Sequence, residues 1–349
     1  MPALWTLPDF DAHEGVHFFT DPASGLRAVI ALHSTHLGPA AGGTRFWHYA
    51  DDAQAVTDAL RLSRGMSFKN AMAGLPMGGG KGVILAGADR AKSPELLAAF
   101  GRAVDSLGGR YVTAEDVGMG EADLVAIGRE TRHVSGLPVG EGAAGGDPGP
   151  STATGVFLGV KAAIKRALSR DSADGVHVAI QGVGSVGGGL ARLLAGEGAR
   201  LTIADMDAGR AARLAEELGA AVTGPSAILD VEADIFSPCA LGAVLTEASI
   251  PALRVKAVAG AANNQLATPV DGDRLHARGI LYAPDYVINA GGIINVSLEY
   301  LGQGDRDEVE ARIRQIPGRL ESIWEESAAT GETAAAVADR MAMKLIGRG

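Results

Sequence analysis

The residues of this chain best suited to chemistry fall into two groups. The first is Gly182-Val183-Gly184-Ser185-Val186-Gly187, which fits G-x-G-x-x-G between a short apolar run and a small-residue, helix-like stretch. In that setting the first glycine permits a tight turn and the second lets backbone approach a pyrophosphate. The third lets helix and strand pack closely, with the phosphates on the helix N-terminus. A chain with 49 glycines meets this pattern by chance too, so the acid downstream matters. Asp205 stands 18 residues after Gly187, at the end of the next strand-like run. An acid there accepts the ribose hydroxyls of NAD and repels the 2'-phosphate of NADP, and Asp207 adds a second charge. Gly182, Gly184, Ser185, Val186, Gly187 and Asp205 are candidate NAD contacts, as are Cys239 and Ala240 after the apolar run Asp234–Phe236.

The second group is Lys81, after Gly78-Gly79-Gly80, with Asp116 after the strand-like Gly109–Thr113. A phosphate-binding P-loop is excluded, because the positions that need Gly and Ser/Thr hold Leu75 and Gly82. The glycines instead would let a substrate and a nicotinamide approach the backbone. A confined ammonium, with Lys69 twelve residues earlier, has its pKa lowered by desolvation and by a neighbouring cation, as a lysine general base requires. On residue types alone, Lys81 reads equally as a surface lysine after a flexible turn. Asp116 reads as a proton-handling carboxylate or as the cap of a turn or helix.

The elements that must hold these residues read as two domains, as expected for 349 residues. Val16–Phe19 and Leu26–Leu32 form a hairpin around Asp21–Gly25; Asp52–Ser63 is a helix; Val83–Leu85 is a strand; Ser93-Pro94 caps a helix through about Leu107. From Val176 the chain alternates short apolar strands with helices, which implies a parallel, doubly wound sheet. Val139–Pro150, with five Gly and two Pro, reads as a hinge or active-site loop. The tail from Asp305 reads as helical, with Ile313, Ile316, Leu320 and Ile323 as one apolar stripe and a kink at Pro317. The expected division is a substrate-binding and catalytic domain over 1–140, a hinge over 139–150 and a Rossmann NAD-binding domain over 150–329. A C-terminal helix over 330–349 packs back on the first domain.

The net charge is −10, without a Lys/Arg cluster, which argues against nucleic acid or an anionic membrane as partner. No apolar run is long enough to cross a bilayer, and the first basic residue is Arg27, so no secretory signal is expected. A single cysteine, Cys239, forms no intrachain disulfide and suits a cytoplasmic setting. No His/Cys/Asp/Glu cluster has metal-ligand spacing, so no metal is expected.

Several stretches together resemble the glutamate/leucine/phenylalanine/valine dehydrogenase family. They are Gly38–Arg45, Phe68-Lys69-Asn70, Leu75–Lys81, Thr113–Gly118, Ala259–Leu266 and Tyr282–Gly292, in the family's order over roughly residues 15 to 345. The similarity is closest to the leucine and phenylalanine branches. It implies an α/β fold with an N-terminal substrate and oligomerisation domain, a homo-oligomer, and NAD-dependent, reversible oxidative deamination of an amino acid to the 2-oxo acid and ammonia. It implies Lys69 at the substrate α-carboxylate, Lys81 as the catalytic lysine and Asp116 as the acid handling protons at the amino group. Asn289 would lie at the carboxylate, and Asn263 near the nicotinamide and amine. The amino acid would sit in a cleft between the domains.

The resemblance also speaks to the substrate side chain. Where the glutamate branch has a lysine before Gly-Gly and a serine seven residues after the Asn of Asn-Ala-Gly-Gly, this chain has Ala41 and Val296. An unpaired carboxylate there would cost several kcal/mol. With Met66 and Ile293 these residues suggest a pocket for a branched aliphatic or other apolar side chain; the same residues also fit ordinary core packing. The alternatives are an aromatic-preferring phenylalanine dehydrogenase and, in another class, an inactive NAD-binding sensor, against which intact Lys69, Lys81 and Asp116 argue.

Overall fold

The structure is a computed structural model and describes residues 4–7, 9–138, 140, 143–240 and 242–349. Of the stretch read as a hinge, Val139, Glu141 and Gly142 lie outside the described residues. The chain divides into two compact units. One comprises residues 1–147, 293–309 and 342–349; the other comprises 148–292 and 310–341.

The first unit is built on a mixed sheet. Its elements are β1 (Gly15–Asp21), β2 (Leu26–Ser34), β3 (Ala40–Ala41), β4 (Thr44–Trp47), helix α1 (Asp52–Met72), β5 (Gly78–Leu85), α2 (Pro94–Asp105), β6 (Tyr111–Val112) and α3 (Glu121–Ile127). The path runs β1-β2-β5-β3-β6, and β4 also pairs with β5. Strands β1 and β2 form the expected antiparallel hairpin. Strand β2 is apolar almost throughout because both its faces are covered. Ala28, Ile30 and Leu32 face Leu96, Phe100 and Ile127 of α2 and α3. Val29 and Ala31, pointing the other way, meet Ala55, Ala59 and Leu60 of α1. Ser93 caps α2 as expected, accepting from the Leu96 N–H at 3.1 Å.

Within this unit the structure departs from the sequence reading in two connected places. Helix α1 continues to Met72, nine residues past Ser63, and the glycine run is not a flexible turn but the central strand β5. The glycines serve packing. A Cβ on Gly79 would overlap the Ser67 backbone of α1, and one on Gly80 would come within 2.8 Å of the Tyr111 ring. The helix therefore lies directly on strand backbone, and its contact face carries Ser67, with buried Ser63 one turn earlier, where an apolar periodicity would otherwise show. Asn70, fully buried, ties the two together: its Nδ2 donates to the Gly78 carbonyl at 2.5 Å.

The second unit begins with α4 (Gly149–Leu168) and runs β7 (His177–Gln181), α5 (Ser185–Gly196), β8 (Arg200–Ala204), α6 (Ala208–Leu218), β9 (Ala221–Val222), β10 (Ile235–Pro238), β11 (Ala257–Val258), α7 (Pro269–Ala277), β12 (Leu281–Tyr282) and α8 (Asp285–Ile288). All strand pairs are parallel, in the order β9-β8-β7-β10-β11-β12. Counted along the unit this is 3-2-1-4-5-6, the Rossmann order, whose topological switch point falls between β7 and β10.

Four helices complete the chain: α9 (Gly291–Tyr300), α10 (Arg306–Ile313), α11 (Ile316–Thr330) and α12 (Ala334–Leu345). Residues 293–309 are counted with the first unit, a return that the sequence reading did not contain. The apolar stripe Ile313, Ile316, Leu320, Ile323 is buried, but it spans two helices rather than one kinked helix. Pro317 sits in the first turn of α11, where its missing N–H costs nothing. Helix α12 is divided between the units at 341/342, and Arg348 beyond it donates to the carbonyls of Asp11, Ala12 and His33. Among the described residues no helix is long and apolar enough to cross a membrane.

Candidate active site

Lys81 points from β5 into a buried position, 5% exposed. Its Nζ lies 2.7 Å from Asp116 Oδ2. Asp116 stands in the turn after β6, where the Met119 N–H donates to its carbonyl at 2.9 Å. The same Oδ2 accepts from Arg45 Nε at 3.1 Å. Arg45, on β4, also donates from Nη1 to Asp58 Oδ2 at 2.8 Å, and the Tyr49 hydroxyl donates to that oxygen at 2.9 Å. A chain of charges thus runs from α1 through β4 to β5. Beneath it, the buried Tyr111 hydroxyl donates to the Gly42 carbonyl at 2.7 Å, and Thr44 and Thr113 hydroxyls meet at 2.7 Å.

Burial alone would raise the Asp116 carboxyl, but Lys81 and Arg45 outweigh it and hold it at about 2. For Lys81 burial is the largest influence and moves its pKa down; Asp116 opposes this and Arg45 reinforces it. The site therefore holds a firmly ionised carboxylate beside a lysine whose protonation is weakened by its surroundings.

Lys69 is half-buried on α1, the helix packed on the strand of Lys81, with Met66 one turn before it. Met66 meets the Ala41 end of the sheet: its Cγ is 3.0 Å from where a Cβ on Gly42 would stand. Ala41 and Val296 are buried and Ile293 is half-buried. Ile293 and Val296 occupy one face of α9, and two neighbours on that helix fix the segment opposite. Glu299 accepts from the N–H groups of Gly136 (2.6 Å) and Leu137 (3.0 Å), and Asn295 exchanges two 2.8 Å hydrogen bonds with the Gly145 backbone. Sequence reasoning assigned no role to Arg45, Asp58, Asn70, Asn295 or Glu299. The available signal was Arg45 and Asn70 lying inside the motifs that carried the resemblance.

The remaining candidates cluster in the second unit. Gly182 turns with φ +91°, against Ala240, whose nitrogen is 2.8 Å from a Cβ built there. Gly187 lies against Cys239, at 3.0 Å by the same measure, and Gly184 faces open space. Ser185 and Val186 open α5. The turn after β7 and the turn after β10 therefore meet across the switch point, with Cys239 and Ala240 beside the glycines. Asp205 is held rigidly: the Val183 N–H donates to Oδ2 and the Asp207 N–H to Oδ1, each at 2.8 Å. Arg210 Nη1 lies 3.5 Å from Oδ1.

Asn289, 5% exposed, donates through Nδ2 to the Ala261 carbonyl (2.9 Å) and to Asn263 Oδ1 (2.8 Å). A backbone carbonyl only accepts, which settles which side of the amide carries nitrogen. Asn289 Oδ1 is buried without a partner. As placed, this residue offers an acceptor, suited to an amine or carboxamide N–H. Meeting a carboxylate, as the resemblance implies, would require it to give up one of its two partners. The open Gly184, the fixed Asp205 and this orphan acceptor fit a nicotinamide dinucleotide. Among the described residues no group of His, Cys, Asp or Glu is placed to hold a metal ion.

A two-unit α/β chain with a Rossmann sheet and a buried lysine paired with an aspartate defines a class, the dinucleotide-linked dehydrogenases. Comparison with known proteins narrows it. Residues 13–133 match the model of the Glu/Leu/Phe/Val dehydrogenase dimerisation domain, and residues 206–346 match that of Glutamate/Leucine/Phenylalanine/Valine dehydrogenase. The chain is 47% identical over 334 residues to leucine dehydrogenase of Geobacillus stearothermophilus, covering 96% of this chain and 90% of that one. It is 48% identical over 337 residues to valine dehydrogenase of Streptomyces coelicolor, covering 96% and 92%. Among solved structures, L-tryptophan dehydrogenase from Nostoc punctiforme superposes with a TM-score of 0.84 at 41% identity, covering 96% of both chains. The chain belongs to the glutamate/leucine/phenylalanine/valine dehydrogenase family and is an amino-acid dehydrogenase. It catalyses oxidative deamination with a nicotinamide dinucleotide.

Proposed function

We propose that this enzyme interconverts branched aliphatic L-amino acids and their 2-oxo acids, using NAD. The observation that carries the reading is the pairing of buried Lys81 with half-buried Asp116 at 2.7 Å, Lys81 standing on a strand whose helical neighbour bears Lys69. Lys69 takes the α-carboxylate. The dinucleotide, when bound, accepts the hydride from Cα. Lys81 in its free-base form takes a proton from the water that attacks the resulting iminium carbon. Asp116 moves protons to and from the nitrogen until ammonia leaves. A general base placed in this way contributes about 100- to 10,000-fold.

The substrate class is supported by Ala41, Met66, Ile293 and Val296, all apolar, and by the likeness to leucine and valine dehydrogenases. NAD rather than NADP is supported by the fixed Asp205 carboxylate and by Asp207. Association as a homo-oligomer is supported by the match of residues 13–133 to a dimerisation domain. The likeness to a tryptophan dehydrogenase favours a second reading, an aromatic substrate. Absorbance at 340 nm with NAD and a panel of amino acids at equal, subsaturating concentration separates the two. Leucine, valine and isoleucine should outrank phenylalanine and tryptophan, and glutamate should be nearly inert. An aromatic leading the panel overturns the aliphatic reading.

A further inference from the structure

Two cations share one oxygen of Asp116: Lys81 Nζ at 2.7 Å and Arg45 Nε at 3.1 Å. Only one of them can release its proton, since a guanidinium stays charged throughout the accessible range. Arg45 is anchored from its far side by Asp58, which also accepts from Tyr49 and pairs with Arg61 at 3.1 Å. Arg45 is thereby held in place whether or not Lys81 is charged.

We infer that Arg45 is a positioning and tuning residue for Lys81: it occupies the charge of Asp116 and sets a permanent cation beside the lysine, which eases loss of the Lys81 proton while Asp116 stays ionised. The inference rests on the reading of Lys81 as the general base. An isolated Lys81–Asp116 pair would work against that role, because each ion would stabilise the charge of the other. With Arg45 present, Asp116 keeps a partner after Lys81 loses its proton, and the deprotonated state leaves no buried carboxylate unpaired.

Among the described residues, Arg45 is the cation that shares the Asp116 oxygen with Lys81. From β4 comes Arg45 itself, and from the turn after β6 comes Asp116. From β6 comes Tyr111, pushed up to about 12 by burial and therefore neutral. From β2 comes His33, which burial, aided by Arg348, drives down to about 4 and leaves uncharged. Helix α1 contributes Asp58, which favours the charged lysine; it also bears Lys69, which the variants leave unchanged. Burial is the main cause of the lowered Lys81 pKa, and among these charges Arg45 acts in the same direction as burial.

The test is the pH dependence of kcat/KM for deamination of leucine in the wild type, Arg45→Gln, Arg45→Lys, Asp58→Asn and Lys81→Ala. In Arg45→Gln, Asp116 is left to Lys81 alone, and the acid limb should move up by about one to two pH units. At a fixed pH on the acid limb the rate should fall about ten- to a hundredfold and recover in alkali, at one decade per pH unit. Arg45→Lys keeps the charge and should keep the limb near its wild-type position. Asp58→Asn removes an anion that favours charged Lys81 and should move the limb the other way, which keeps the inference testable if Arg45→Gln does not fold. A limb that stays put in Arg45→Gln, or a loss equal at every pH, overturns the inference; so does an upward shift in Asp58→Asn. Wild-type turnover in Lys81→Ala would instead remove the general-base reading, so the two failures are distinct.

Discussion

Lys81 and Asp116, 35 positions apart in the chain, meet at 2.7 Å with the lysine the more deeply buried partner, its side chain 7% exposed against 22% for the acid. Each member therefore favours the charge of the other, and removing either has consequences of predictable sign. Lys81→Ala should lower turnover about 100- to 10,000-fold. The dissociation constant for NADH, read by fluorescence titration, should stay within about twofold, because Gly182–Gly187 and Asp205 belong to the other unit. Asp116→Asn should also cut kcat. It should move the acid limb of its residual activity to lower pH, because burial of Lys81 then loses its main opposing charge and Asp58 alone still favours the ammonium. The limb cannot belong to Asp116 itself, which is held at about 2. An upward shift would show that Lys81 is not the titrating group.

The packing of α1 on β5 predicts opposite outcomes for two glycines. Gly79→Ala forces a Cβ into the Ser67 backbone, which cannot swing away, and should destabilise the protein by about 1–3 kcal/mol or more. Gly65→Ala lies within α1 with nothing near the new methyl and should stabilise it by about 0.5–1 kcal/mol. Thermal unfolding midpoints of the two variants, compared with wild type, check both signs; a neutral Gly79→Ala would mean that helix and strand are not in backbone contact.

Cofactor choice should respond to Asp205. Comparable kcat/KM for NAD and NADP in the wild type would show that this carboxylate does not face the ribose. In Asp205→Ala the guanidinium of Arg210, 3.5 Å from Oδ1 in the native arrangement, loses the more buried of its two anions, keeps exposed Asp207 at 3.6 Å, and can turn toward a 2'-phosphate. The ratio of kcat/KM for NADP over NAD should rise by at least about tenfold, equivalent to about 1.4 kcal/mol.

Ile293 should set the width of the substrate pocket. It is β-branched and half-buried on α9, the helix anchored by Glu299 and Asn295, so it cannot easily turn aside. Forcing a ring against it costs about 1–3 kcal/mol, or about 5- to 150-fold in specificity. Ile293→Ala should raise the phenylalanine-to-leucine ratio of kcat/KM within that range. An unchanged ratio would place Ile293 outside the pocket.

Features whose physics is local were legible in the sequence. Gly182–Gly187 announces a strand–turn–helix because its three glycines answer to a turn, an open face and a close contact within six residues, and α5 does start at Ser185. Ser93-Pro94 marks the start of α2 for the same kind of reason, a cap and a proline acting on the next turn. The parallel sheet followed from alternating short apolar runs and helices. What the sequence by itself determined is this set of local elements and the residue types able to do the chemistry.

The tertiary structure decided the rest, and each case has its cause. Glycines carry no side-chain periodicity, so Gly78–Gly82 reads as a turn until α1 is seen lying on it, and Ser67, which faces Gly79, interrupts the apolar pattern in the second half of that helix. Pro317 suits a helix start as well as a kink, and only packing shows two helices. The role of Arg45 depends on β4 and β5 pairing so that Arg45 stands opposite Val83, two residues from Lys81. Periodicity and spacing along the chain carry no record of such cross-strand neighbours, because an ion pair between distant residues is specified by the register of the sheet, which long-range packing selects.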